Sequence, residues 1–196
     1  MSIAHDTNPS ATSLDRRKVM IMAAAAGLAA RPDLAAAATA TELSKNSQIA
    51  LDRLYATRPA SRGWGKKAKA ILVFPEIVKA GFIIGGQGGD GALFEKGQPV
   101  GFFRIAAASF GLEAGAQTFS YALFMMTDKA VEHLKTSEGW SIGTGPTVVV
   151  LDEGAAESVT STTMREDVYA VAYGQKGLMA GLSLEGSKIS RIHPKA

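Results

Sequence analysis

The chain has 196 residues, of which 46% are hydrophobic and 20% charged, with 21 Gly, no Cys and a net charge of +3. The hydrophobic share excludes wholesale disorder, and the absence of Cys excludes a disulfide scaffold, a thiolate zinc site, a cysteine nucleophile and a lipidated-Cys anchor. Glycine has no collagen-like period, so its abundance predicts close backbone contacts or tight turns.

In chain order, residues 1–18 are polar and end in Asp15-Arg16-Arg17-Lys18. The apolar run Val19–Ala30 follows, shorter than the ~20 residues that cross a bilayer. Arg31, Pro32, Asp33 and an alanine stretch ending in Ala38-Thr39-Ala40 complete the pattern of a secretory signal: basic region, short apolar region, small-residue cleavage site. The pair Arg16-Arg17 resembles a twin-arginine signal. Asp15 stands where Ser or Thr is usual, and Val19 where Phe is usual. The expectation is export, with residues 1–40 as signal, cleavage after Ala40 and a domain over 41–196. Removing the signal takes away Arg16, Arg17, Lys18 and Arg31 together with Asp6, Asp15 and Asp33, which lowers the net charge by one. The remaining chain is only mildly basic and has no charge run suited to nucleic acid.

Residues 41–58 predict a helix capped by Thr41 or Ser44, with Leu43, Ala50, Leu51, Leu54 and Tyr55 near one face and Pro59 at its end. Beyond residue 70 short β-prone runs alternate with Gly-rich turns: 71–74 closed by Pro75, then 79–86, 91–95, 100–105 and 118–126. A helix is predicted over Asp128–Lys135 with Asp128 as cap, and further strands at 141–142, 147–151, 168–173, 178–184 and 188–192. No linker divides 41–196.

A weak repeat aligns Gly81–Phe94 with Gly111–Phe124, and Gly177–Gly181 repeats the Gly-x-x-x-Gly start. Residues i and i+4 of a strand share a face, so the paired glycines predict close packing there. Gly86–Gly91 reads G-x-G-x-x-G, but no helix follows to hold a pyrophosphate, so a hairpin turn is expected. Ser183 lacks the second glycine of a nucleophile elbow. His133 and His193, the histidines outside the signal, read as solvated surface residues. Asp152-Glu153, Glu157 and Glu166-Asp167 read as turn and strand-end charges.

The clearest functional hint is the cluster Arg62, Trp64, Lys66, Lys67 and Lys69. Cations beside an interfacial aromatic suit anionic lipid head groups, at ~1 kcal/mol per cation near the surface, and the preceding amphipathic helix suits a surface-lying segment. An ordinary solvated helix face has the same composition.

From about residue 50 onward the sequence resembles the SYLF domain family. The segments that carry the resemblance are Ala68–Pro75, Lys79–Phe82, Gly88–Gly91, Phe110–Gly115, Asp128–Val131 and Lys176–Gly186. The resemblance implies phospholipid binding, with phosphoinositides favoured in eukaryotic members, where the domain sits in endocytic proteins and yeast members bind actin. The expected fold is one α+β domain, with N-terminal helices packed on a Gly-rich, mostly antiparallel sheet that curls toward a barrel. The expected function is non-enzymatic binding of anionic phospholipids at a bacterial cell envelope, in the periplasm or outside, without cofactor or metal. Head-group contacts are assigned to Arg62, Lys66, Lys67, Lys69 and Lys79, with Trp64 as interfacial anchor. The alternative is a module that binds an envelope or filament protein.

Overall fold

The computed structural model describes residues 38–151, 165–177, 184 and 186–195. The segment expected to be a signal, with Arg16 and Arg17, the acidic residues Asp152, Glu153 and Glu157, Ser183 and most of the strand expected at 178–184 lie outside the described residues.

The folded unit opens with helix α1 (Ala40–Thr57). Its cap is Thr39, not Thr41 or Ser44: the Glu42 amide donates to the Thr39 hydroxyl at 3.2 Å and the Thr39 amide donates to the Glu42 carboxylate at 3.0 Å. This reciprocal box satisfies two amides that the first turn leaves without helical partners. Helix α2 (Ser61–Lys67) follows after Pro59 and carries the basic cluster except Lys69.

Two long strands come next, β1 (Ala70–Glu95) and β2 (Gln98–Met125), paired antiparallel over nearly their whole length. Five short strands expected from the Gly-rich punctuation are therefore two long ones. Pro75 does not end the first run. It sits where the register shifts between Phe74 and Ile77, and a bulge tolerates a residue without an amide proton. Gly86–Gly91 is strand interior, not a hairpin turn. The turn is Lys96-Gly97, with φ of 51° and 78°. Positive φ at both central residues gives the turn whose twist matches the flanking strands, and glycine accepts it without strain.

A straight strand of this length would extend roughly 85 Å, at about 3.3 Å per residue. Instead the hairpin bends back on itself near a second register irregularity between Phe82 and Ile84. The bend packs the second half of β1 against the first. A Cβ at Gly89 would collide with the Glu76 carbonyl oxygen, and one at Gly91 with that of Val73. The repeated glycines meet at this bend. Gly81 pairs with Gly115, and Gly177 of strand β5 (Val168–Gly177) pairs with Gln117 beside it.

Helix α3 (Asp128–Thr136), strand β3 (Trp140–Ser141), strand β4 (Val148–Leu151) and strand β6 (Lys188–Ile192) complete the described elements. The α3 cap is Thr127, one residue before the Asp128 that the sequence suggested. Among the described residues the sheet has six strands, with β2 as its spine. One of its edges bonds to β1, the other to β5 near its end and to β6 near its start. β4 lies parallel to β5, and all other pairings among the described residues are antiparallel. The expected α+β fold with a curled, mostly antiparallel sheet is the observed one.

Alternation along the strands fills both faces of the sheet. Leu72, Phe74, Tyr121, Leu123, Val168 and Ala170 point to a core that also takes Leu93, Phe103 and Ile105, with α3 packed on it. Val73, Ala122, Phe124, Tyr169 and Val171 point the other way, against Ala50, Leu51 and Leu54 of α1 and Trp64 of α2. Residues near the open end and near the turn of the hairpin share both cores, so the bend carries the Lys96-Gly97 turn back toward the start of β1.

Candidate functional site

That return of the hairpin turn builds a cleft of about 650 Å³ between α1, α2 and the β1–β2 turn. Its apolar floor is Leu51, Tyr55, Ile71 and Phe94, and four cations border it: Arg62 and Lys66 from α2, Lys69 from the segment after it, and Lys96 from the turn. All four cations are exposed.

Trp64 explains why α2 presents its charges outward. Two residues along a helix turn the side chain by about 200°. With Trp64 at 1% exposure and its ring edge-on to Phe124 at 5.7 Å, Arg62 and Lys66 are directed away from the sheet. The expected interfacial role of Trp64 is corrected. The indole is the peg that fastens the basic helix to the core, and its large apolar area is more favourably removed from water there than left exposed. Lys79 is also corrected: it lies on β1 opposite Gln117, only 7% exposed and away from the cleft. Lys67 is exposed but is not part of the cleft lining.

Tyr55 forms the wall under Arg62. The guanidinium lies 5.5 Å from the ring centroid and its Nε donates to the Tyr55 carbonyl at 3.3 Å. Burial, and next Asp52, raise the pKa of the Tyr55 hydroxyl, while Arg62 opposes them, so the phenol is a neutral hydrogen-bonding group at neutral pH. Gly65 allows this contact, because a Cβ there would collide with the Tyr55 hydroxyl.

Lys69 and Lys96 also border a second cleft of about 560 Å³ beside α3. Its charges are balanced: Lys69 pairs with Asp128 at 3.3 Å and Lys135 pairs with Glu95. Among the described residues the first cleft has no carboxylate in its lining. It can hold an anion at its rim and an apolar group on its floor.

Lys96 was missed by sequence reasoning because it is far along the chain from the basic cluster. The signal available was Lys96-Gly97 between two β-prone runs, which marks a turn but not where that turn docks. Other chemistry is sparse. Among the described residues no group of three or more His, Asp or Glu could hold a metal ion, and no helix is long and apolar enough to cross a membrane. His193 is exposed, as expected. His133 is not fully solvated: it is half-buried, edge-on to Trp140 at 5.9 Å. Asp167 is more than a strand-end charge. It accepts from the Thr127 hydroxyl at 2.8 Å and the Thr147 amide at 3.1 Å, tying the cap of α3 to the approach to β4. Burial pushes the Tyr121 hydroxyl up to about 12, which leaves it without an acid–base role near neutrality.

Residues 106–193 match the family described as "Ysc84: Las17-binding protein actin regulator". The chain is 29% identical over 127 residues to the SH3 domain-containing YSC84-like protein 1 of Rattus norvegicus and of Mus musculus, an alignment that covers 62% of this chain and 37% of each relative. The Homo sapiens protein of the same name is 28% identical over 127 residues, 62% of this chain and 36% of the relative. The chain therefore spans little more than a third of the length of these relatives. Every residue of the cleft lies before the stretch matched by the family. These comparisons show similarity to the Ysc84 family through the C-terminal part of the chain.

Proposed function

We propose that the chain is a Ysc84/SYLF-type binding module, without enzymatic activity, that holds anionic phospholipid head groups at its basic cleft. The single observation that carries this reading is the convergence of Arg62, Lys66, Lys69 and Lys96 around an apolar floor, with no carboxylate among the described residues of the lining. Each cation near a negative membrane surface contributes about 1 kcal/mol, and the floor gives an acyl group somewhere to go. Phosphoinositide-like head groups fit the same chemistry. The twin-arginine-type sequence before Ala38 supports the exported, envelope-associated setting.

Flotation of the full chain with liposomes tests this. Binding is expected to vesicles rich in phosphatidylglycerol or phosphoinositide and not to phosphatidylcholine alone, and to fall with salt. Charge reversal at Lys66, Lys69 and Lys96 is expected to abolish it. Binding that ignores lipid charge, or survives the triple reversal, refutes it. A second reading is favoured by the description of the matched family as a Las17-binding actin regulator: a module that recruits a filament or envelope protein. It predicts capture of a protein partner that persists in the triple variant and needs no lipid.

A further inference from the structure

The cleft is a pocket and not only a charged patch, and that narrows the ligand. A head-group site that works by adsorption needs cations and no depth. Here the cations stand at the rim of a depression of about 650 Å³ whose floor is Leu51, Tyr55, Ile71 and Phe94. Clefts of about 300–1,000 Å³ enclose most of one drug-sized ligand. That suits an anionic head with a single chain and is too little for the two long chains of a bilayer phospholipid. The separate cleft beside α3 does not extend this floor, since its lining is charged apart from Val131 and Thr136.

We infer that the cleft binds one single-chain anionic amphiphile, of the class of an alkyl phosphate, lysophosphatidate or fatty acid, taken up as a monomer. The head lies among Arg62, Lys66, Lys69 and Lys96, and the chain covers Ile71 and Phe94. The inference rests on the anionic-lipid reading above and assigns it a ligand. Guanidinium and ammonium groups recognise phosphate and carboxylate alike, so the phosphate and carboxylate forms of the head are arms of one test.

The test is calorimetric titration of the full chain with straight-chain monoalkyl phosphates from hexyl to dodecyl, and with the matching fatty acids, all below their critical micelle concentrations. Flotation on phosphatidylglycerol vesicles runs in parallel. One-to-one binding is expected, tightening by up to about fourfold per methylene and levelling off once the floor is covered. Lys66→Glu with Lys96→Glu, both at exposed positions, is expected to weaken it at least tenfold. Ala68→Phe, which narrows the cleft, is expected to flatten the chain-length dependence. Affinity that is independent of chain length, or unchanged by the double reversal, overturns the inference. Flotation without monomer binding overturns it and leaves the membrane-surface reading standing. Monomer binding without flotation supports it and removes the membrane-surface reading. Failure of both removes both. Tighter binding of the phosphates or of the fatty acids identifies the source of the head, and either result supports the inference.

Discussion

Lys69 and Asp128 are ion-paired at 3.3 Å where the two clefts adjoin, so one of the cations that border the basic cleft is partly neutralised by a carboxylate of the second cleft. Both side chains are more than half exposed, and exposed pairs contribute about 0–1 kcal/mol to stability. The pair therefore bears more on ligand affinity than on folding. On the proposed function, Asp128 competes with an incoming anion for Lys69.

Asp128→Asn is expected to raise affinity for anionic vesicles about threefold, within the ~1 kcal/mol that one surface cation contributes. Unfolding free energy should drop by less than about 1 kcal/mol, through loss of the pair and of an acid in the first turn of α3. Vesicle titration at low and high salt checks this. Unchanged affinity at low salt would mean that Lys69 does not meet the ligand.

Trp64 fills the space between α2 and Phe124. Trp64→Ala is expected to destabilise the fold by about 3–5 kcal/mol, read by urea unfolding, and to lower lipid binding by freeing α2 from the sheet. Trp64→Phe keeps much of the packing and should retain binding. A lipid-dependent shift in Trp64 fluorescence of the kind an inserted indole gives is not expected. The other indole, Trp140, is also buried, at 1% exposure, so the whole emission should respond little to vesicles.

The contrast between Trp64 and Leu54 shows which parts of the fold the sequence makes legible. Leu54 belongs to an eighteen-residue helix whose apolar spacing alone points it inward. Trp64 lies in a seven-residue helix, where glycines and lysines leave no readable stripe, and only the tertiary packing against Phe124 decides that the indole is core. The strands illustrate the same divide. Residues 121–125 and 168–173 were readable as strands, but both runs are apolar throughout, so which side chain faces which core is set by the packing on either side of the sheet. That Pro75 and the glycines of 85–91 lie within one strand was not, because bulge and bend depend on partners in β2 and on β1 meeting itself. The cleft was half legible: Arg62, Lys66 and Lys69 are local in sequence, whereas Lys96 and Phe94 arrive through the bend.

That bend makes a sharp steric prediction. A Cβ at Gly91 would strike the carbonyl of Val73 and the Phe74 ring, while at Gly86 the nearest neighbour is the Ala107 carbonyl oxygen at 3.4 Å. Gly91→Ala is expected to cost about 3 kcal/mol, the upper range for overpacking. Gly86→Ala should be near neutral. Chemical denaturation of the two variants separates them. Equal stability would mean that the two halves of β1 do not pack together in solution.

Asp167 supplies a pH signature. The Thr127 hydroxyl, and next the Thr147 amide, hold its carboxyl below the usual carboxylate range. A carboxyl whose pKa is lower in the folded state stabilises the fold above its unfolded pKa, about 3.9. That contribution is lost as pH falls through the folded value. Asp167→Asn should therefore lower stability at neutral pH and make the acid limb, below about pH 4, less steep. Thermal unfolding from neutral to strongly acidic pH checks this. Parallel wild-type and variant profiles would remove Asp167 from the acid response.

The capping box at Thr39 bears on processing of the N-terminal segment. The hydroxyl and amide of Thr39 both engage Glu42, and the Ala40 amide donates to the Lys195 carbonyl at 2.8 Å, so the start of α1 is fastened to the C-terminal segment. Cleavage after Ala40, as the small-residue pattern suggests, would remove the cap, whereas cleavage after Ala38 keeps it. Thr39→Ala is expected to cost about 1 kcal/mol, and deletion through Ala40 at least as much. On the proposed export, N-terminal sequencing of the processed protein is expected to begin at Thr39. A first residue of Thr41 would mean that the processed chain tolerates loss of the box, and the Thr39→Ala variant should then unfold at the wild-type temperature.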